Sequence, residues 1–212
     1  MAIIPQMSLF SWKDIEDLGD LKRLKLVIEH LPDEELMITL EKQRKNGRND
    51  YPVRAIWNTI LAGIVFEHNS IESLRRELSR NAQLRYLCGL ELRGVPTSSA
   101  YSRFMKNLLQ HEAKVNAMFY AAVNEIKTLL PNYGESLAID SKAIQSFANH
   151  RNKHTEKDGR RDIDADYGVK SYKGEREDGT LWEKIVRWFG YKLHLIVDSD
   201  YELPVAYSVT KA

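Results

Sequence analysis

The chain has 212 residues, 43% of them hydrophobic, with 31 lysines and arginines against 30 aspartates and glutamates, a net charge of +1. That is enough for one large domain or two small ones. The charge balance excludes a strongly basic tail protein but not nucleic-acid binding through local stripes of charge. One cysteine, Cys88, excludes a disulfide framework and any multi-cysteine zinc site, and suits a reducing compartment.

The N-terminus, Met1 to Lys13, lacks a basic flank followed by an apolar run, so no secretory leader is read there. Leu18, Leu21, Leu24, Leu26, Ile28 and Leu31 predict an amphipathic helix that stops at Pro32. Asp33 is placed to cap a second helix that buries Leu36, Met37 and Leu40. The polar run Lys42 to Asp50 reads as a loop. Pro52 opens the next helix, through Ile56, Ile60, Ile64 and Val65. Its most apolar stretch, Ile56 to Phe66, falls short of the roughly 20 residues of a membrane span. The expectation is a soluble, cytoplasmic protein with no membrane partner. Ser70 is an N-cap for a helix carrying Ile71, Leu74 and Leu78, and Gly89, Gly94 and Pro96 mark a connector.

Thr97, Ser98 and Ser99 offer N-caps for a helix whose Tyr101, Phe104, Met105, Leu108 and Leu109 form one apolar face. Arg103, Lys106, Asn107 and Gln110 share the opposite stripe. Arginine pairs with guanine, and asparagine or glutamine with adenine, in the major groove. Arg75, Arg76 and Arg80 on the preceding helix are candidates to hold phosphates. Helix, connector and helix fit a helix-turn-helix-like module, although the connector from Asn81 to Pro96 is long for a tight one. An ordinary solvated helix face has the same composition.

After Pro131 the period changes. Ser136 to Asp140 is a short apolar run ending in an acid, and Trp182 to Asp198 and Leu203 to Thr210 read as strands joined by a hairpin turn at Asp198 to Glu202. Between the first two strands lies a polar stretch, about Phe147 to Thr180, with no clear period. Helices followed by strands predict an α+β chain of two domains, 1–130 helical and 131–212 strand-rich, with the 147–180 stretch as an insertion.

Asp140, read as strand-terminal, would sit at the lip of a sheet, where a carboxylate can hold a divalent cation; a turn-forming aspartate is the plain alternative. Asp162, Asp164 and Asp166 resemble the start of a calcium loop, but Tyr167 and Lys173 stand where glycine and glutamate are required. His150 and His154 have no third ligand in sequence, and Asp198 and Asp200 read as turn residues.

Tyr51 to Leu108 resembles the helical N-terminal domain of bacterial insertion-sequence transposases. The resemblance rests on Tyr51-Pro52, on Ser73-Leu74-Arg75-Arg76-Glu77-Leu78, on Arg85-Tyr86-Leu87-Cys88-Gly89-Leu90, on Val95-Pro96-Thr97 and on Ser102-Arg103-Phe104. Leu137 to Lys142 is similar to the first catalytic strand of the DDE nuclease, with Asp140 as its first acid. Asp164 to Gly168, Arg176 to Thr180 and Trp188 to His194 resemble a subgroup with a long insertion between the first two strands. The resemblance implies a helical DNA-binding domain followed by an RNase H-like α/β domain, of which this chain holds the first three antiparallel strands. It implies double-stranded DNA at terminal inverted repeats as partner, self-association on paired ends, and Mg²⁺ or Mn²⁺ as metal in the full-length enzyme, at the bacterial nucleoid. The family's second aspartate and its glutamate lie beyond the third strand. The expectation is therefore an N-terminal fragment, with Asp140 as its one catalytic and metal-binding acid. The other readings are a non-catalytic DNA-binding protein that represses transposition, or a degenerate remnant.

Overall fold

The computed structural model describes residues 18–44, 51–90, 94–148 and 162–212. The expected leader-free N-terminus, most of the Lys42–Asp50 loop and the pair His150 and His154 lie outside the described residues. The chain divides into two compact units, residues 1–122 and 123–212. Helices come first and an antiparallel sheet follows, so the α+β expectation holds.

In the first unit, α1 (Leu21–His30) buries Leu21 and Leu24 and stops before Pro32. Leu31, the residue before that proline, is extended (φ −70°, ψ 124°), as the proline ring demands. Leu26 was expected on the buried face but is 48% exposed, since the helical step carries it to the far side. α2 (Glu34–Lys42) buries Leu36, Met37 and Leu40, as expected. Asp33 makes no capping hydrogen bond. Its buried carboxylate instead accepts from Arg54 Nη1 and from Trp57 Nε1, each at 2.5 Å, and so ties the start of α2 to the next helix. Pairing with a cation and an indole outcompetes a cap, because the buried Trp57 N–H would otherwise be left unsatisfied.

That next helix, α3 (Val53–Val65), is buried at Val53, Ala55, Ile56, Trp57, Asn58, Thr59, Leu61 and Ala62. Burial on nearly every side marks it as the centre of the unit. Ile64, expected inside, is 69% exposed at its end. α4 (Ile71–Arg80) is capped by Ser70, whose hydroxyl accepts from Ser73 N at 3.2 Å, and buries Leu74 and Leu78. The long connector holds a further short helix, α5 (Ala82–Leu87), capped by Asn81 through Leu84 N at 2.9 Å. Its Leu84, with Cys88 and Leu90, seals the core. α6 (Ser98–Leu108) follows, then a 3-10 turn at Leu109–His111 and α7 (Glu112–Leu129).

In the second unit, β1 (Leu137–Gln145), β2 (Asp166–Glu175), β3 (Leu181–Asp198) and β4 (Pro204–Lys211) form one antiparallel sheet in which β3 pairs with all the others. β1, β3 and β4 make the expected antiparallel set, joined by the expected turn after Asp198. Two expectations fail. β1 runs five residues beyond Asp140, and β2 lies inside the stretch read as a structureless insertion. β2 and the first half of β3 form a hairpin arm through Arg176 to Thr180, where Gly179 takes φ 78°. At Gly190 β3 meets both Gln145 of β1 and Asp166 of β2. A Cβ there would stand 2.1 Å from the carbonyl oxygen of Ile144, so only glycine fits this junction.

Candidate nucleic-acid interface

α6 begins where Thr97 Oγ1 accepts from Ala100 N at 3.3 Å, so its first turn is fixed by its own sequence. Tyr101 and Phe104 are buried, and the Tyr101 hydroxyl donates to Thr59 Oγ1 at 2.8 Å, which pins α6 to the central helix. Burial pushes that phenol's pKa up to about 12, against the opposing pull of the Thr59 contact. The apolar face is narrower than its spacing predicts. Met105 is 37% and Leu109 75% exposed, because the 3-10 turn rotates Leu109 off the α-helical face.

With Tyr101 and Phe104 held inside, the opposite stripe is presented outward. Arg103, Lys106 and Asn107 are exposed on α6, and Gln110 is exposed in the 3-10 turn that follows. Arg103 and Asn107 also line a cleft of about 500 Å³ with Arg44 and Thr97, over a floor that includes Ile56 and Phe104. Arg44 donates to the Tyr51 carbonyl at 2.6 Å and pairs with Glu41 at 3.2 Å. Sequence reading missed Arg44, for no periodicity connects position 44 to position 103.

The three arginines of α4 have different surroundings. Arg75 Nε donates to the Pro96 carbonyl at 2.8 Å, and its Nη1 reaches Glu72 at 2.8 Å and Ser98 Oγ at 3.1 Å. It is a strut between α4 and the start of α6. Ser98 also donates to Glu72, and that contact, with Arg75 beside it, holds the Glu72 carboxyl below its ordinary range. Arg76 is exposed. Arg80 is 77% exposed and pairs with Glu77 one turn before it.

Asp140 lies apart from this surface in the sequence of elements, in the middle of β1 opposite Leu195, and not at a strand end. It is exposed, and its Oδ1 accepts from the neighbouring Ser141 N at 2.7 Å. Asp162 accepts from Ser146 and Tyr191, Asp164 pairs with Lys211 at 3.7 Å, and Asp166 accepts from Tyr167 N. Each acid has its own partner, and no group of three metal-ligating side chains occurs among the described residues. A Mg²⁺ site wants two or more carboxylates converging on one ion, so Asp140 in this setting does not fit one by itself.

No helix among the described residues is long and apolar enough to cross a membrane. No curated protein and no solved structure matches the chain. Residues 11–107, which take in α1 to α5 and all but the last residue of α6, match the family model described as Transposase domain (DUF772), so the chain carries a transposase domain.

Proposed function

We propose that the chain acts in DNA transposition by docking the exposed stripe of α6 on duplex DNA at the ends of an insertion sequence. The observation that carries this reading is that the transposase-domain match includes a helix with one face locked inside. Its other face holds Arg103, Lys106, Asn107 and, just beyond it, Gln110 out to solvent. Arg103 and Asn107 are of the kind that reads base edges, Lys106 and Gln110 flank them, and Arg76 and Arg80 reach phosphates. Arg75 acts through its struts by setting the angle of α6. Such a protein works at the bacterial nucleoid.

In the same reading β1, β3 and β4 begin an RNase H-like sheet, and Asp140 is the first acid of a DDE set that holds Mg²⁺ or Mn²⁺. The acids described beside it do not complete that set, so no cleavage step is drawn from it.

The test is selection of random-sequence duplexes by the purified chain at moderate salt. A sequence motif should emerge whose affinity falls steeply as salt rises. Arg103→Ala and Asn107→Ala should each relax the motif at one position and cost about 1–3 kcal/mol there, whereas Lys106→Ala should weaken all duplexes alike. Recovery of no motif, or one unchanged by both substitutions, would remove α6 from the role.

A further inference from the structure

The arm formed by β2 and the first half of β3 carries a chemical pattern that the α6 reading leaves unused. Gly168, Lys170, Tyr172 and Gly174 stand opposite Trp188, Val186, Lys184 and Trp182. Alternation along each strand puts these eight positions on one face. Trp188 covers Gly168 and Trp182 covers Gly174: a Cβ on either glycine would meet three atoms of the opposite ring at 2.7 Å or less. Each ring thus occupies the space of the missing side chain.

The two tryptophans differ in exposure. Trp188 is 8% exposed and donates its Nε1 hydrogen to the Tyr191 carbonyl, so it anchors the base of the arm. Trp182 is 36% and Tyr172 42% exposed, and Lys170 and Lys184 are exposed beside them. The Lys170 ammonium stands 5.0 Å from the Tyr172 ring centroid. Along the arm between its two glycines the carboxylates are confined to one face. Glu175 and Glu183 fall on the opposite face, where Glu183 pairs with Lys173 at 3.7 Å. Asp166 sits at the base, next to the junction glycine, and the acids Glu177 and Asp178 belong to the turn beyond Gly174. Between Gly168 and Gly174 and their partners this face carries two cations and no carboxylate.

We propose that this face is a stacking platform for single-stranded DNA, with bases on Trp182 and Tyr172 and phosphates on Lys170 and Lys184. Flat aromatic surface interleaved with cations is what unpaired bases and their backbone recognise. Reading a duplex groove instead needs arginine, asparagine or glutamine aimed at base edges, and this face has none. The site stands on the sheet alone and does not rest on the role given to α6.

The experiment uses the full chain and a fluorescein-labelled oligothymidine of roughly 15 nucleotides, read by anisotropy and by tryptophan quenching. Saturable binding that weakens with salt is expected. Trp182→Ala should weaken it by about fivefold or more, and Trp182→Phe, which keeps a ring, should recover most of the loss. Lys170→Ala with Lys184→Ala should lower the slope of log affinity against log salt by about 1 to 1.5. Arg103→Ala should leave oligothymidine binding unchanged while altering duplex selection, which separates this site from α6. Absence of saturable binding would overturn the proposal. So would an unchanged affinity in Trp182→Ala, or in the lysine double variant with its near-ultraviolet circular dichroism intact.

Discussion

The Asp198 carboxylate is fully buried and accepts from Gly134 N at 2.7 Å, Tyr201 N at 2.9 Å and Asp200 N at 3.0 Å. Those amides, the Gly134 bond foremost, hold its carboxyl below the ordinary carboxylate range. The consequence for stability has a definite sign. As pH falls, the unfolded carboxylate takes up a proton first, near pH 3.9, while the folded one resists. Its contribution is therefore complete above that pH and is lost as pH drops through the lower folded value. Thermal unfolding of the native chain, followed by tryptophan fluorescence, should lose midpoint temperature between about pH 5 and pH 3. Asp198→Asn should melt lower than the parent at pH 7, and the gap between the two should narrow on acidification. Parallel curves would show that the carboxylate charge does not hold the β3–β4 turn. Sequence showed this residue as a turn aspartate, and it is one. Its partnership with Gly134, 64 positions away, was not legible, because nothing local records which distant amide a turn will face.

At the scale of elements, α4 and α6 are set against each other by Arg75, whereas Arg76 on the same helix is exposed. The sequence read both as phosphate holders, since adjacent arginines look alike until the Pro96 carbonyl is brought beside one of them. Arg75→Ala should therefore cost about 1–2 kcal/mol of stability in urea unfolding, because it strips a charged donor from a half-buried carbonyl. Arg76→Ala should stay within about 0.5 kcal/mol of the parent and instead lower the salt slope of duplex binding by about 1. The opposite assignment of the two effects would exchange their roles. Several elements built on local rules were legible in the first unit: the Ser70 and Thr97 caps, the Pro32 stop, and the buried faces of α2 and α4. β2 was not, because its apolar residues are spaced by glycines. Gly168 and Gly174 blank the alternation on one strand, and the tryptophans that fill those gaps come from the other.

At the scale of the whole molecule the two units are built on different terms. The helical unit surrounds α3 with α1, α2, α4 and α6, and Leu24, Ala62, Leu78, Cys88 and Leu90 have no exposure at all. The sheet unit leaves Ile139 71%, Val169 63%, Ile185 52% and Leu181 84% exposed, and β1 is hydrogen-bonded to a neighbour along one edge. Burial of apolar surface is the main driving force of folding, and an amide opens as readily as the packing above it allows. Hydrogen exchange of the intact chain, resolved by peptide, should divide along this line. Amides of α3 and α4 should exchange slowest, at the rate set by opening of the helical core. Those of β1 and β2 should exchange at least about a hundredfold faster, because each edge strand opens without unpacking a covered core. The inner half of β3, paired on both sides from Tyr191 to Val197, should fall between them. Uniform protection across β1, β3 and α3 would mean that the apolar sheet faces are covered in solution. Concentration-dependent protection confined to β1 would mean that the edge is taken by another chain, as open strand edges invite.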